Sequence, residues 1–186
     1  MKRLFDFVAA TVLLIVFAIP LIAIVFLVWA TSRGPAIYWS DRVAKNNGIF
    51  RMPKFRTMKT DAPDVATDMI KDPRSHFTKI GGILRATSID ELPQIYSILK
   101  GDMSFVGPRP ALSSQYDLLK LRSENEIDQL VPGLTGWAQV NGRDELTTQE
   151  KVEFEVEYLS KNSIWFDLKI ICMTFSKVFR RSEISH

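Results

Sequence analysis

The sequence predicts an α+β fold that is mostly helical, with a bent membrane helix followed by a small domain of short strands and amphipathic helices. Three observations support this prediction. They are a long uncharged run near the N-terminus, a turn signal between two apolar stretches, and apolar residues at helical spacing further along the chain. A chain of 186 residues has room for one compact domain and one membrane element. We therefore divide it into residues 1–33 and residues 34–186.

The uncharged run extends over 26 residues, from Phe7 to Ser32. A helix needs roughly 20 apolar residues to cross the hydrocarbon core of a bilayer, and the apolar core of a signal peptide has only roughly 7–15. The run therefore predicts a retained membrane anchor. Pro20 lies near its middle, where it removes one helical hydrogen bond and its ring collides with the preceding turn, so we expect a bend.

The charges around this run predict where its two ends lie. Lys2 and Arg3 precede the run, and seven basic residues lie between Arg33 and Lys59. Positive flanks prefer the cytoplasm, so both ends are drawn to one side, as in a re-entrant helix that enters and leaves the same leaflet. An ordinary spanning helix with a proline kink is the alternative. The carboxylate of Asp6 is expected to pair with Arg3, one turn earlier.

Short strands and further helices are predicted after the membrane segment. Apolar stretches flank an Asn46-Asn47-Gly48 turn, which indicates a β-hairpin within residues 34–55. Residues 61–74 combine prolines with acids, a composition typical of a surface loop. Apolar residues at helical spacing predict helices over residues 91–100, 114–130, 150–159 and 163–181.

The last of these helices combines aromatic and apolar residues with basic edges, which suits the membrane interface, although a core helix with solvated lysines would show the same pattern. It contains Cys172, the only cysteine of the chain. A single cysteine excludes a disulfide framework and a cysteine metal site within one chain. Because this thiol lies in an apolar run, we predict that it packs against other side chains.

Pro93 indicates where the helix over residues 91–100 begins. A proline has no backbone N–H, so it belongs in the first turn, where that donor is not needed, and the helix is expected to begin near Asp90. A rival start uses Ser88 as the N-cap with Glu91 three residues on, a capping-box pattern. We prefer the first, because the rival places Pro93 where its missing hydrogen is needed.

Asp90 and Glu91 are the candidate catalytic residues. At the positive end of a helix dipole, carboxylates stay ionised and phosphates bind well. An ionised Asp90 can attack phosphorus and form an acyl phosphate. Glu91, together with Asp90, can hold Mg²⁺, because hard cations that handle phosphates typically take one or two carboxylates. The alternative is structural, since Asp is among the commonest N-cap residues.

Basic residues lie near this pair in the sequence. In an extended strand Lys54 and Arg56 share one face, and two adjacent cations can bind a phosphate. Arg85 precedes the acidic pair by five residues. Arg109 lies between Pro108 and Pro110, whose rings stiffen a loop that can present a planar guanidinium to phosphate. Taken singly, each of these cations is equally compatible with an ordinary surface charge.

The sequence lacks the motifs of several other kinds of active or binding site. The sequence contains no glycine-rich phosphate loop of the Walker type, no G-x-G-x-x-G, no histidine pair for zinc and no Asp-x-Asp triplet. Nucleic acid is not expected as a partner, because the net charge is only +3 and the basic residues cluster next to an apolar segment. No heptad array or self-pairing strand predicts an oligomeric state.

Five motifs, in order along the chain, resemble the bacterial sugar transferase family. They are KRLFDF before an apolar segment with a central proline, KFRTM, SIDELPQIYSILKGDMSFVGPRP, PGLTGWAQVNGR and NSIWFDLKI. More narrowly, they are similar to those of the small monotopic phosphoglycosyl transferases, over nearly the entire chain. We expect the chain to be like the minimal catalytic form, without the multi-helix extension of larger relatives.

The resemblance implies a re-entrant helix in the bacterial inner (cytoplasmic) membrane, in contact with its phospholipids, and a magnesium-dependent site at the cytoplasmic face. It also implies ping-pong transfer of a sugar 1-phosphate from a UDP-sugar to undecaprenyl phosphate, with release of UMP. Such a reaction would initiate the synthesis of a surface glycoconjugate such as lipopolysaccharide or capsule. The alternatives are a glycosyltransferase that transfers the sugar alone and releases UDP, and a scaffold without enzymatic activity that binds anionic lipids.

By the same resemblance, Asp90 matches the nucleophile, and Glu91 matches its acidic partner and metal ligand. Basic positions around the nucleotide diphosphate are matched by Arg56, Arg85 and Arg109, and the loop from Pro108 to Pro110 is similar to the part that meets the nucleotide. The chain departs from the family pattern at two positions. Ile19 stands where relatives often have a serine before the membrane proline, and Glu155 stands where many have Asp.

Overall fold

The computed structural model of the chain describes residues 1–63, 72–142 and 145–183. Its α-helices are α1 (Lys2–Val16), α2 (Ala18–Thr31), α3 (Gly81–Ala86), α4 (Ile95–Lys100), α5 (Tyr116–Glu124), α6 (Trp137–Asn141), α7 (Thr148–Ser160) and α8 (Ile164–Glu183). Its strands are β1 (Ile37–Val43), β2 (Ile49–Phe55), β3 (Ser104–Val106) and β4 (Gly133–Thr135). Short 3₁₀ segments cover Lys45–Asn47, Pro73–His76, Ile89–Gln94 and Ile127–Gln129. The mostly helical α+β architecture is therefore confirmed.

The N-terminal helices α1 and α2 meet at Phe17 with a bend of 65°. Pro20 falls in the first turn of α2, three residues after the break, because a proline cannot donate to the carbonyl of Val16 and a continuous helix would lose that bond. The predicted bend is confirmed, but it lies at Phe17 and not at the proline. Within the described ranges, no single helix is long and apolar enough to cross a membrane, whereas this bent pair meets the length and composition required.

Two charged residues of α1 tie it to the domain. Arg3 donates through Nη1 to the carbonyl of Ile98 and through Nη2 to the carbonyl of Leu99, at 2.6 Å for the second bond. Asp6 is only 3% exposed and accepts a hydrogen bond from the backbone N–H of Phe105 at 3.2 Å. The expected Arg3–Asp6 pair is therefore wrong. The last carbonyls of α4 need donors, and the N–H of Phe105 on β3 needs an acceptor, so each side chain serves a different backbone group.

Lys2 makes a third connection, to the other end of the chain. Its Nζ forms an ion pair with the carboxylate of Asp167 on α8, which is 1% exposed. The hydroxyl of Tyr158 on α7 donates to the same carboxylate at 2.7 Å. We call Lys2, Arg3 and Asp6 with their partners the anchor cluster, because it fixes α1 to α4, β3 and α8.

The predicted hairpin is confirmed. Strands β1 and β2 pair antiparallel, with Ile37 opposite Phe55 and Val43 opposite Ile49. At the turn, Asn46 and Asn47 have φ angles of 56° and 57°, in the left-handed region that asparagine tolerates better than most residues.

Two apolar clusters fix the position of the 3₁₀ segment Ile89–Gln94, which carries Asp90 and Glu91. The main core joins α1, the hairpin, α4, β3 and α8, and it includes Ala10, Phe50, Met52, Ile95, Ile98, Phe105 and Ile170. A second cluster joins α2 to the other face of the hairpin and to the 3₁₀ segment, and it includes Leu21, Ile24, Val28, Ile37, Phe55, Leu84, Ile89 and Leu92. The segment Ile89–Gln94 therefore lies between the main core and helix α2.

Some elements differ from the sequence prediction. The helix predicted over residues 114–130 ends at Glu124 as α5, and Glu126 follows with a φ of 58°, a left-handed conformation that does not continue an α-helix. The parallel pair β3–β4 and the helix α6 were not predicted. Of the loop predicted over residues 61–74, residues 64–71 lie outside the described part of the chain.

The two C-terminal helices are confirmed. Helix α7 begins after a capping box in which Thr147 and Glu150 exchange side-chain and backbone hydrogen bonds. Helix α8 buries Asp167 and Ile170 and leaves Trp165 80% exposed. The prediction that Cys172 packs is wrong, because this residue lies on the exposed face of α8, about 200° around the helix axis from Ile170.

Candidate active site

The 3₁₀ segment that carries Asp90 and Glu91 begins at Ile89, one residue earlier than predicted. Ser88 takes the N-cap position in a left-handed conformation, with φ 57°. The rival prediction is therefore right about the N-cap residue. Its capping box is wrong, because the Ser88 side chain makes no cap hydrogen bond. Pro93 does not lie in the first turn. The chain runs as a 3₁₀ helix through the proline and becomes the α-helix α4 only at Ile95. Because a six-residue 3₁₀ segment aligns few peptide dipoles, nearby side chains dominate the electrostatics of the acidic pair.

Glu91 is held by two cations. Its Oε1 accepts from Lys54 Nζ at 2.9 Å and from Arg109 Nη2 at 3.0 Å. Burial by itself raises the pKa of this carboxyl, but the charges of Arg109 and Lys54 outweigh it and hold the pKa well below its ordinary value of 4.5. Glu91 is therefore ionised throughout the physiological range, and it joins β2 to the proline-flanked loop.

Asp90 has a different environment from its neighbour. The residue is 6% exposed, and it makes no hydrogen bond or ion pair with any residue that the structure describes. Burial raises the pKa of Asp90 above 3.8, the charge of Lys54 partly offsets this effect, and the charge of Glu91 adds to it. The ionised oxygen is thus incompletely stabilised, which is the condition of a reactive nucleophile.

The structure places Arg85 near Asp90. Its Nε donates to Thr57 Oγ1 at 3.1 Å, and its guanidinium lies 5.3 Å from the ring centroid of Phe77. Its charge lowers the pKa of Asp90, as does that of Arg109. Lys54, Arg85 and Arg109 therefore surround the acidic pair.

Arg56 has other neighbours. Its Nε donates to the carbonyl of Pro35 at 2.8 Å, and its guanidinium lies 5.7 Å from the ring centroid of Tyr38. Arg56 is not among the charges that shift the pKa of Asp90 or of Glu91. Lys54 and Arg56, predicted to share one phosphate, thus have separate contacts in the folded chain.

Three consecutive carbonyls of the proline-flanked loop accept hydrogen bonds from different elements. The carbonyl of Pro108 accepts from the N–H of Gly133 at 2.8 Å. The carbonyl of Arg109 accepts from Arg122 Nη2 at 3.0 Å. The carbonyl of Pro110 accepts from Nη1 of Arg42 on β1 at 3.4 Å. The loop is therefore fixed on both sides of the guanidinium that holds Glu91.

Sequence reasoning missed Arg122 as a supporting residue. It forms a buried bidentate pair with Glu155, Nε to Oε2 at 2.8 Å and Nη2 to Oε1 at 2.5 Å, and the two residues are 8% and 3% exposed. Glu155, whose role the sequence left open, thus orients the arginine that holds the carbonyl of Arg109. No signal in the sequence singles out Arg122 within its polar helix. We call Lys54, Asp90, Glu91, Arg109, Arg122 and Glu155 the catalytic cluster, after the role predicted for Asp90 and Glu91.

Three glycines allow the loop to lie directly on β4. A Cβ added to Gly107 would be 2.3 Å from the carbonyl oxygen of Val131. One added to Gly133 would be 2.1 Å from the nitrogen of Gly107, and one added to Gly136 would be 2.1 Å from the oxygen of Gly107. All three distances are far below contact, so main chain packs on main chain here and only glycine fits.

The acidic pair is compatible with Mg²⁺. Glu91 uses only Oε1 in its two ion pairs, and the neighbouring carboxylate of Asp90 has no protein partner in the described chain. No group of three or more His, Cys, Asp or Glu residues that could hold a metal ion occurs among the described residues. The donor set therefore fits a cation held by one or two carboxylates and completed by substrate phosphates and water, the usual pattern for Mg²⁺.

Comparison with known proteins agrees with the motifs. Residues 1–181 match the model of the family described as bacterial sugar transferase. The galactosyl transferase CpsE of Streptococcus agalactiae is 39% identical over 95% of this chain and 42% of its own length. The UDP-glucose:undecaprenyl-phosphate glucose-1-phosphate transferase of Escherichia coli is 38% identical over 96% of this chain and 40% of its own length.

A third relative has a more similar length. The uncharacterized sugar transferase EpsL of Bacillus subtilis is 39% identical over 96% of this chain and 87% of its own length. The chain thus spans about two fifths of CpsE and of the E. coli protein, and most of EpsL. On the family match and these identities, the chain belongs to the bacterial sugar transferase family.

Proposed function

We propose that this protein transfers a sugar 1-phosphate from a UDP-sugar to undecaprenyl phosphate and releases UMP. Relatives support the general reaction, since the E. coli protein is named a glucose-1-phosphate transferase to undecaprenyl phosphate and a Salmonella typhimurium protein an undecaprenyl-phosphate galactose phosphotransferase. The observation that carries the proposal is the contrast within the acidic pair. Asp90 is 6% exposed and has no hydrogen-bond or ion-pair partner among the described residues, beside a Glu91 held by two cations.

In the first step, an oxygen of the Asp90 carboxylate attacks the phosphorus that carries the sugar. The bond between this phosphorus and the bridging oxygen breaks, and UMP leaves with that oxygen. The product is an acyl phosphate between Asp90 and the sugar 1-phosphate, which divides one difficult transfer into two easier ones.

In the second step, a phosphate oxygen of undecaprenyl phosphate attacks the same phosphorus. The bond to the carboxylate oxygen breaks, so Asp90 is regenerated and the lipid diphosphate sugar leaves. No water enters the balance, and any proton on the acceptor phosphate is lost to solvent.

The neighbouring residues have distinct roles in these steps. Lys54, Arg85 and Arg109 place positive charge around the phosphoryl group, which carries its negative charge on the non-bridging oxygens. Glu91 orients Lys54 and Arg109 and prevents the two cations from pairing with Asp90. When bound at Asp90 and Glu91, Mg²⁺ would neutralise further phosphate charge.

The bent helix pair supports a re-entrant placement in the cytoplasmic membrane, with the catalytic domain on the cytoplasmic face. Its outer face is apolar and accessible, as shown by Ile15, which is 72% exposed, and Ile19, which is 81% exposed. The basic residues at both ends favour one side of the membrane. A single cysteine inserted after Met1 and one at Arg33, each in a Cys172→Ser background, should both react with an impermeant thiol reagent from the cytoplasmic side only. Labelling from opposite sides would show a spanning helix.

The reaction is tested with purified full-length protein in detergent, Mg²⁺, a panel of UDP-sugars and a polyprenyl phosphate. Wild-type protein should release UMP, and without acceptor it should release a burst of about one UMP per enzyme. Asp90→Asn should lower the rate by about a thousandfold or more, because the nucleophile is lost. Asp117 lies at an exposed position of α5 and provides the control, so Asp117→Asn should keep wild-type activity. Release of UDP in place of UMP, or full activity of Asp90→Asn, would contradict the proposal.

A further inference from the structure

Arg85 is held differently from the other two cations around the acidic pair. Lys54 and Arg109 are bonded to the carboxylate of Glu91. Arg85 instead donates through Nε to the hydroxyl of Thr57 at 3.1 Å. A hydroxyl accepts a hydrogen bond but, unlike a carboxylate, carries no charge that would offset the charge of the donor. The hydrogen bond to Thr57 therefore restricts the direction of the guanidinium without weakening its positive charge.

An aromatic ring makes a second contact with the same guanidinium. The guanidinium of Arg85 lies 5.3 Å from the ring centroid of Phe77. A planar cation is attracted to the face of an aromatic ring, so the guanidinium would lose this attraction if it turned away. The ring itself has a fixed place, because a Cβ added to Gly82 at the start of α3 would be in ordinary contact with it, at 3.5 Å.

The two residues that contact Arg85 belong to two short pieces of chain that pair with each other. Met58 forms an antiparallel bridge with Phe77. Next to this bridge, the carbonyl of Thr57 accepts from the N–H of Thr78 at 2.9 Å, and Thr57 is only 6% exposed. Both contacts of the guanidinium are therefore fixed by the same local structure.

Helix α3, which carries Arg85, begins against this structure. A Cβ added to Gly81 would be 2.0 Å from the carbonyl oxygen of Thr57, so main chain lies directly on main chain at the start of the helix. Further along the helix, Leu84 is buried in the second apolar cluster. The backbone of Arg85 and the partners of its side chain are thus fixed together, and from there its charge lowers the pKa of Asp90.

We propose that Thr57 and Phe77 are positioning residues, which aim the guanidinium of Arg85 at the phosphoryl group that is transferred to Asp90. The inference rests on the proposed function and adds to it two residues that act through Arg85. A cation that is already aimed stabilises the charge of the transition state without reorganising at the moment of reaction. Loss of either contact should therefore slow formation of the acyl phosphate more than it weakens binding of the UDP-sugar.

The test measures the first half-reaction, which is the UMP burst in the absence of acceptor, with full-length protein in detergent and Mg²⁺. Thr57→Val removes the hydroxyl with little change in size, and Thr57→Ser keeps a hydroxyl. Phe77→Leu removes the ring, and Phe77→Tyr keeps it. The control is Thr87→Val at the end of α3, because the hydroxyl of Thr87 donates to the carbonyl of Ile83 in the same helix, at 2.8 Å.

The rate constant of the burst at saturating UDP-sugar should fall by about tenfold in Thr57→Val, the effect of losing one hydrogen bond to a charged group. It should fall by about threefold in Phe77→Leu, the effect of losing one cation–π contact. The concentration of UDP-sugar that gives half the maximal rate should change by less than about twofold in both variants. Thr57→Ser, Phe77→Tyr and Thr87→Val should keep the wild-type rate constant.

A double variant shows whether Thr57 acts through Arg85. Arg85→Gln alone should slow the burst by about a hundredfold, because a cation at the phosphoryl group is lost. Adding Thr57→Val to Arg85→Gln should slow the burst no further, since the residue that Thr57 positions is already absent. An equal loss from Thr57→Val in both backgrounds would show a merely structural role and would overturn the inference.

The inference would also be overturned by a wild-type burst rate in folded Thr57→Val or in Arg85→Gln, or by a Thr57→Ser variant as slow as Thr57→Val. If Thr57→Val does not fold, Phe77→Leu decides the test in the same way, alone and in the Arg85→Gln background. A wild-type protein that gives no UMP burst from any donor would instead overturn the proposed function, and this inference with it.

Discussion

The anchor cluster and the catalytic cluster both join charged side chains from distant parts of the chain, but they differ in how completely those charges are paired. In the anchor cluster, Lys2, Arg3 and Asp6 each meet a partner on another element of the fold. In the catalytic cluster, Glu91 has two cations, while Asp90 has no partner in the described chain. Charged groups with little exposure are normally paired, so an aspartate without a partner among the described residues is a candidate for a reactive group.

The comparison also distinguishes residues that hold the structure from the residue proposed to react. The Glu155–Arg122 pair is as fully bonded as the anchor cluster, yet it ends at the carbonyl of Arg109, whose side chain holds Glu91. We therefore expect substitutions in the bonded parts to reduce stability, and substitution of Asp90 to remove activity without that loss.

The largest effect on stability is expected from Arg122→Met. The change leaves Glu155 buried and uncompensated, which costs about 3–5 kcal/mol, and the carbonyl of Arg109 loses its donor. The free energy of unfolding, measured by denaturant titration in detergent, should fall by this amount, and UMP release should fall with it. Lys120→Met on the same helix is the control, because the exposed pair of Lys120 with Glu124 at 3.9 Å contributes less than about 1 kcal/mol. A loss of stability no larger than in the control would remove Arg122 from the cluster.

An intermediate effect is expected from Asp6→Ala in the anchor cluster. The N–H of Phe105 would be left without its acceptor in a buried position, at a cost of about 1–3 kcal/mol. The UMP burst per folded molecule should be unchanged, because Asp6 supports β3 and touches no reacting group. Asp117→Ala, at an exposed position of α5, serves as the control for removing an aspartate at the surface. A loss of burst at unchanged stability would show that the two clusters are not separate in function.

The smallest effect, opposite in sign, is expected from Asp90→Asn. Burial raises the pKa of Asp90, so the ionised carboxylate destabilises the folded state, and its replacement should increase the free energy of unfolding at neutral pH. This gain should shrink as the pH falls through the folded pKa towards 3.8.

Glu91→Gln should instead lower the free energy of unfolding at neutral pH, and it serves as the internal comparison. Although burial opposes it, the charges of Arg109 and Lys54 lower the pKa of Glu91, so its contribution to stability is present above pH 4.5 and is lost as the pH falls through the folded pKa. Unfolding curves at a series of pH values measure both effects. Destabilisation of the protein by Asp90→Asn at neutral pH would show that Asp90 is a structural residue.

Local signals in the sequence predicted much of the fold. The Asn46-Asn47-Gly48 turn indicated the hairpin, the apolar spacing indicated α7 and α8, and Pro20 indicated a bend. Each of these features depends on residues within a few positions of one another. The presence of Lys54, Arg85 and Arg109 around Asp90 and Glu91 was also predicted, from the basic residues that lie near this pair in the sequence.

Features that depend on distant partners were missed or wrong. Strands β3 and β4 have three residues each and lie about 30 residues apart, so neither has a periodicity of its own. Arg3 was paired with Asp6 by helical spacing, but backbone groups of α4 and β3 compete for both side chains. The Glu155–Arg122 pair joins two helices whose packing the sequence does not reveal.

The contact of Gly107 with Gly133 and Gly136 has a consequence for how the site meets its substrate. Side chains that support a loop can change rotamer, but main chain resting on main chain has no such freedom. On the proposed function, the conformational entropy of the loop backbone that carries Arg109 is therefore lost once, when the protein folds, and not again each time a nucleotide-sugar binds. A loop held in this way is preorganised for phosphate before any ligand arrives.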